Sequence, residues 1–104
     1  MLVLCDENGK GGGMLAVTKD EPRLHLLDEN GKLRVTVGVR EGGPMLVLCD
    51  SQGKHCAGVD VLKDKPALGL YDSEGKPRAL LALTGGEPGL DLLDSEGKPT
   101  WAAR

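Results

Sequence analysis

Short apolar runs alternate with polar clusters along the whole chain, and within each run leucines or valines occupy every second position. Leu46 and Leu48 in Met45-Leu46-Val47-Leu48-Cys49 share one side of an extended backbone, as do Val35, Val37 and Val39. A period of two is that of a β-strand with one apolar face. No apolar stripe runs at helical spacing. The runs are separated by Asp-x-x-Gly-Lys clusters and by stretches ending in Pro, both of which read as turns. The pattern predicts an all-β chain.

The pattern also repeats. Asp6, Asp28, Asp50, Asp72 and Asp94 recur every 22 residues, in step with Gly9, Gly31, Gly53, Gly75 and Gly97, and a Lys follows each of these glycines. Two leucine columns keep the same phase: Leu2, Leu24, Leu46, Leu68 and Leu90, then Leu4, Leu26, Leu48, Leu70 and Leu92. One repeat domain is expected, with units at 1–22, 23–44, 45–66, 67–88 and a shortened 89–104. Each unit reads as a β-hairpin, giving a meander of about nine or ten strands. Asn8-Gly9 and Asn30-Gly31 suit a type I′ turn, whereas Gln52-Gly53, Glu74-Gly75 and Glu96-Gly97 suit a type I turn with a glycine bulge at least as well. The Asp heading each turn is placed to accept backbone N–H bonds. A looser turn, as in Arg40-Glu41-Gly42-Gly43-Pro44, leads to the next unit. A two-residue hairpin loop would set Leu2 opposite Leu15 and Leu4 opposite Gly13, with all the leucine and valine columns on one face. A three-residue loop in a flat ladder would split them, because a one-residue slip inverts every side chain. The register that keeps them together is expected.

A flat sheet of ten strands would be on the order of 45 Å wide and would leave that face wet. Burying one Leu or Val is worth roughly 1.5–3 kcal/mol, so the face needs a cover. The expected shape is a barrel-like or sandwich-like curl, or a propeller blade for every two units, completed where necessary by oligomerisation. Units one and three both begin Met-Leu-Val-Leu-Cys-Asp, which hints at a 44-residue superperiod. On the other face, the residue before each Asp is Cys5, Leu27, Cys49, Tyr71 or Leu93. This second stripe is expected either to meet another sheet or subunit or to lie half-buried beneath Lys and Arg stems.

Composition narrows the picture. At 104 residues and 10.9 kDa the chain suits one domain. Aromatic residues make up 2%, with no Phe, so the interior is built from Leu, Val, Ala and Met. Sixteen Gly and six Pro argue again against helices. A net charge of −3 supplies no basic surplus, and no nucleic-acid partner is expected. The apolar opening, Met1 to Cys5, is too short for a signal-peptide core or a spanning helix, and no membrane association is expected. Three Cys cannot all pair within the chain, which points to a reducing, cytoplasmic setting. A remnant of a larger repeat protein would give the same pattern.

Candidate chemistry is sparse, and neither a metal nor a cofactor is expected. Asp6-Glu7-Asn8-Gly9 resembles part of a calcium loop, but each turn offers one Asp and one variable acid where calcium needs six to eight oxygens. Cys49, His55 and Cys56 lack a fourth zinc ligand. A two-residue loop would place Cys49 opposite Cys56 as a cross-strand thiol pair, able to form a disulfide under oxidation. His25 and His55 stand at non-equivalent positions and no nucleophile motif accompanies them, so no enzyme is expected. Gly9-Lys10-Gly11-Gly12-Gly13 is not a phosphate loop, since neither a Ser or Thr nor a helix follows.

The 22-residue Leu-x-Leu-x-Asp-x-x-Gly-Lys pattern, with Arg34 and Arg78 behind two of the turns, resembles tandem β-hairpin repeats of uncharacterised bacterial proteins. That resemblance covers the whole chain and implies a repeat scaffold with no assigned activity. Similarity to MORN repeats is distant, because their Tyr-x-Gly pattern is absent. WG-type repeats share the Asp-x-x-Gly-Lys turn, yet their unit is longer and their aromatic positions are Leu here. The expected function is a non-enzymatic scaffold for self-assembly, as a homo-oligomer, or for binding a protein partner. The alternative is a lectin-like module for carbohydrate or another small ligand, with Tyr71 and Trp101 as its only aromatic platforms.

Overall fold

The computed structural model describes residues 1–18 and 20–103. Among the described residues, ten strands form one antiparallel sheet in which every strand pairs with its neighbours in chain order. They are β1 (Leu2–Cys5), β2 (Gly11–Thr18), β3 (Glu21–Leu27), β4 (Leu33–Arg40), β5 (Gly43–Cys49), β6 (His55–Leu62), β7 (Lys65–Tyr71), β8 (Pro77–Thr84), β9 (Glu87–Leu93) and β10 (Pro99–Ala103). There is no helix among the described residues, and hence none long and apolar enough to cross a membrane. The all-β meander expected from the period of two is what forms.

The Asp turns have one geometry in all five places. The N–H of Gly9 donates to the Asp6 carbonyl at 3.0 Å and the N–H of Asp6 to the Lys10 carbonyl at 2.8 Å, and the same two bonds recur at Asp28, Asp50, Asp72 and Asp94. Only the glycine of each turn has positive φ, for example 80° at Gly53. This is a type I turn closed by a glycine bulge. The type I′ expectation for Asn8-Gly9 and Asn30-Gly31 is therefore corrected, since neither Asn adopts positive φ. Type I′ turns occur instead between units. Lys63-Asp64 and Gly85-Gly86 have positive φ at both positions, and Leu62 pairs with Lys65 and Thr84 with Glu87. These connections, expected to be loose, are two-residue turns.

A three-residue loop alone would have sent the leucines and valines to opposite faces. A second irregularity prevents it. Leu4 pairs with Gly13 but Cys5 with Gly11, so Gly12 is an extra residue in β2. Arg34, Cys56, Arg78 and Thr100 are extra residues in the equivalent places. The bulge shifts the register by one residue and restores the parity that the loop had changed. Leu4, Gly13, Leu26, Val35, Leu48, Ala57, Leu70, Ala79, Leu92 and Trp101 consequently form one continuous row. Pro22, Pro44, Pro66 and Pro88 each stand one pair beyond a two-residue turn closure. At such non-hydrogen-bonded positions the missing N–H would point away from the hairpin partner, where the ladder to the following strand has ended.

The sheet does not close. β1 and β10 are its two edges, and the molecule measures 49 × 28 × 18 Å. The expectation that one chain would curl into a barrel over its leucines is overturned. Among the described residues the side chains that do become buried are Thr36, Met45 and Cys49, at 5%, 9% and 5% exposure, and all three lie on the opposite face. The enclosed side of the sheet is thus the mixed one, and the leucine face is open.

Candidate functional site

Each face presents a different surface. The leucine face carries the row ending in Trp101, a parallel row from Leu2 and Leu15 to Leu81 and Leu90, and the valines paired with prolines. Nineteen large apolar side chains stay exposed among the described residues, and all but Met1, Val3, Leu62 and Tyr71 belong to this face. Leu4 keeps 58% of its surface and Leu68, near the middle, 40%. Fifteen such side chains amount to on the order of 1,000 Å² of continuous apolar surface, above the ~300–600 Å² of the largest patch on a typical monomer. Val59, Pro66, Leu68, Leu81, Leu83 and Pro88 shape a trough of about 400 Å³ in it.

Charged turns rim the sheet along both strand ends. In every Asp turn the Oδ1 atom accepts two backbone N–H bonds, as at Asp50 from Gln52 at 2.9 Å and Lys54 at 3.0 Å. The amide of the Lys position, then those nearer the Asp, hold the carboxyls of Asp28, Asp50, Asp72 and Asp94 below their ordinary value. Arg34 lies 3.4 Å from Asp28 and Arg78 3.6 Å from Asp72, which favours the same ionised form. The two arginines also serve the bulge. Arg34 Nε donates to the Cys49 carbonyl at 3.1 Å and Arg78 Nε to the Leu93 carbonyl at 2.8 Å, tying each even hairpin to the odd one after it. Both Asp side chains are thus committed to turn structure. Among the described residues no three His, Cys, Asp or Glu side chains gather as metal ligands.

The second face is less uniform than its sequence stripe. Cys5 and Tyr71 are exposed, Leu27 and Leu93 half-buried, and Cys49 buried. Cys49 pairs with His55, and the bulge displaces Cys56 from the opposing position that the two-residue loop had implied. Cys5, Cys49 and Cys56 are all free thiols. Cys56 Sγ donates to the Leu48 carbonyl at 3.5 Å. Burial, then the neighbouring Cys56 and Asp50, raise the Cys49 thiol above its ordinary value. Tyr71 and Trp101 lie on opposite faces, so the two do not share one aromatic platform.

The second face also holds a cavity of about 350 Å³, which the repeat pattern does not reveal. Its floor is made of glycines inside strands, Gly58 and Gly69, with Met45 and Val47 beside them. Arg23, His25 and Arg40 stand toward β3 and β4, and Tyr71 and Leu80 toward β7 and β8. His25 Nδ1 lies 3.0 Å from Thr36 Oγ1, and Arg40 pairs with Asp60 at 3.2 Å. The signal was available in the interior glycines at second-face positions, which mark a depression in a sheet. No protein-family model matches the chain, and neither does any curated protein.

Proposed function

We propose that the chain is a non-enzymatic repeat scaffold that self-assembles by packing its leucine face against the same face of a second copy. The carrying observation is the patch of fifteen exposed Leu, Val and Trp side chains on one side of an open sheet. At about 25 cal/mol per Å², covering on the order of 1,000 Å² on each copy gains tens of kcal/mol before the costs of association. Those costs are about 4–15 kcal/mol, and a standard interface needs only ~800 Å² per partner. Two sheets packed in this way lie ~10 Å apart and form a sandwich, the arrangement by which antiparallel sheets ordinarily bury one apolar side. A second copy offers the same rows of Leu and Val in a self-complementary, twofold contact. The charged turns bound the patch at both strand ends, while it runs across the sheet from β1 to β10. Sedimentation equilibrium over a hundredfold range of concentration is the test. A dimeric or higher mass is expected, and a monomer at the highest concentration overturns the reading.

A further inference from the structure

We propose that the cavity on the second face is a binding site for a small organic anion, its acidic head held by Arg23, Arg40 and His25 and its flat apolar body turned toward Tyr71 and Leu80. The two ends of the cavity differ in chemistry. At the β3–β4 end, each guanidinium uses one nitrogen on a carboxylate, Arg23 on Glu21 at 3.2 Å and Arg40 on Asp60 at 3.2 Å. A guanidinium carries five N–H donors, so each keeps donors to spare. His25 is oriented by its contact with Thr36, a side chain only 5% exposed, and its Nε2 remains for a ligand. At the β7–β8 end the lining turns apolar. The Tyr71 ring lies across β7 so closely that a Cβ on Gly69 would come within 3.0 Å of its Cε1.

The head group of the ligand follows from the hydrogen-bonding groups of the lining. Two guanidinium groups and the imidazoles of His25 and His55 line the space; each guanidinium is engaged by one carboxylate, Arg40 by Asp60 in the lining and Arg23 by Glu21 beside it, and each keeps further N–H donors. Donors outnumber acceptors, which favours a carboxylate head over a sugar, whose hydroxyls need both. Its size follows from the volume. About 350 Å³ is at the lower end of the ~300–1,000 Å³ typical of small-molecule sites and accepts one ring with a short arm. The cavity opens on the side opposite the leucine face, so the site stays accessible whether or not that face is covered.

Titrating the ¹⁵N-labelled full chain with 3-phenylpropionate tests the proposal, with neutral 3-phenylpropanamide as the isosteric control. Saturable shifts are expected at Thr36, Gly58 and Gly69, and the amide should bind about tenfold more weakly, the loss of one charge-assisted hydrogen bond. Arg40→Gln should weaken the acid by a similar factor and leave the amide unchanged. Gly58→Val fills the floor while keeping every charge. A Cβ at that position meets nothing nearer than the Leu46 carbonyl oxygen at 3.4 Å, so the strand accepts it, and binding should be lost. No saturable binding of the acid, equal affinity for acid and amide, or unchanged binding by the Gly58→Val chain would each overturn the proposal. None of these outcomes depends on the assembly state.

Discussion

Leu68 sits near the middle of the leucine face, in the trough between Val59 and Leu81, with 40% of its surface exposed in the single chain. Full burial of a leucine is worth roughly 1.5–3 kcal/mol, so covering that remaining fraction contributes about 1 kcal/mol per copy. A twofold contact counts it twice, and Leu68→Ala should weaken dimerisation by about 2 kcal/mol, or roughly thirtyfold in Kd. Leu68→Asp goes further. Each carboxylate taken out of water costs several kcal/mol when it has no partner, and the interface would hold two of them. The Asp variant should sediment as a monomer at every concentration reached by the wild-type dimer, with an unchanged far-ultraviolet β-sheet spectrum. Val3→Asp supplies the control, because Val3 is 44% exposed but belongs to the second face. An unaltered mass for Leu68→Asp, or equal dissociation by Val3→Asp, would refute the assignment of the leucine face as the contact.

The turn carboxyls predict an acid limit. Because Asp28, Asp50, Asp72 and Asp94 titrate below the ordinary value of 3.8, the unfolded chain binds more protons than the folded one in that region. Their stabilisation is present above pH 3.8 and is lost as pH falls through the depressed values. Thermal melts should show a falling midpoint there, while Asp50→Ala should flatten part of that fall. Gly53→Ala should cost about 1 kcal/mol in urea denaturation through its positive φ alone, since nothing lies within 4 Å of the added Cβ. Gly43→Ala should cost more, because its Cβ would also collide with the Val61 carbonyl oxygen. Iodoacetamide followed by mass spectrometry should label exposed Cys5 first and buried Cys49 last, at least about tenfold more slowly, since the thiolate is the reactive form. Equal rates for the two thiols would contradict the burial of Cys49.

Much of this architecture was legible in the residues themselves. Alternation of Leu and Val marked the strands, and the Asp-x-x-Gly-Lys clusters marked where they reverse, because strand period and turn chemistry act over a few neighbouring residues. The common face of the leucines was also legible, since burial demands one parity whatever the loop. How that parity is kept was not: a three-residue turn and a bulge at Gly12, Arg34, Cys56, Arg78 and Thr100 cancel each other, and residue types as different as these share no local signature. The pairing of Cys49 with His55 in place of Cys56 is a direct result of that bulge.

The chain's own residues determine ten short strands and their order, as each hairpin is decided within one unit. Only the tertiary structure decided that the sheet stays open, that the mixed face becomes its enclosed side, and that Arg23, Arg40 and Tyr71 border one cavity. Those outcomes depend on strand twist and bulge angles summed across the sheet. A sum over many small rotations is not written at any single position, and it brings together side chains from separate units that no local pattern connects.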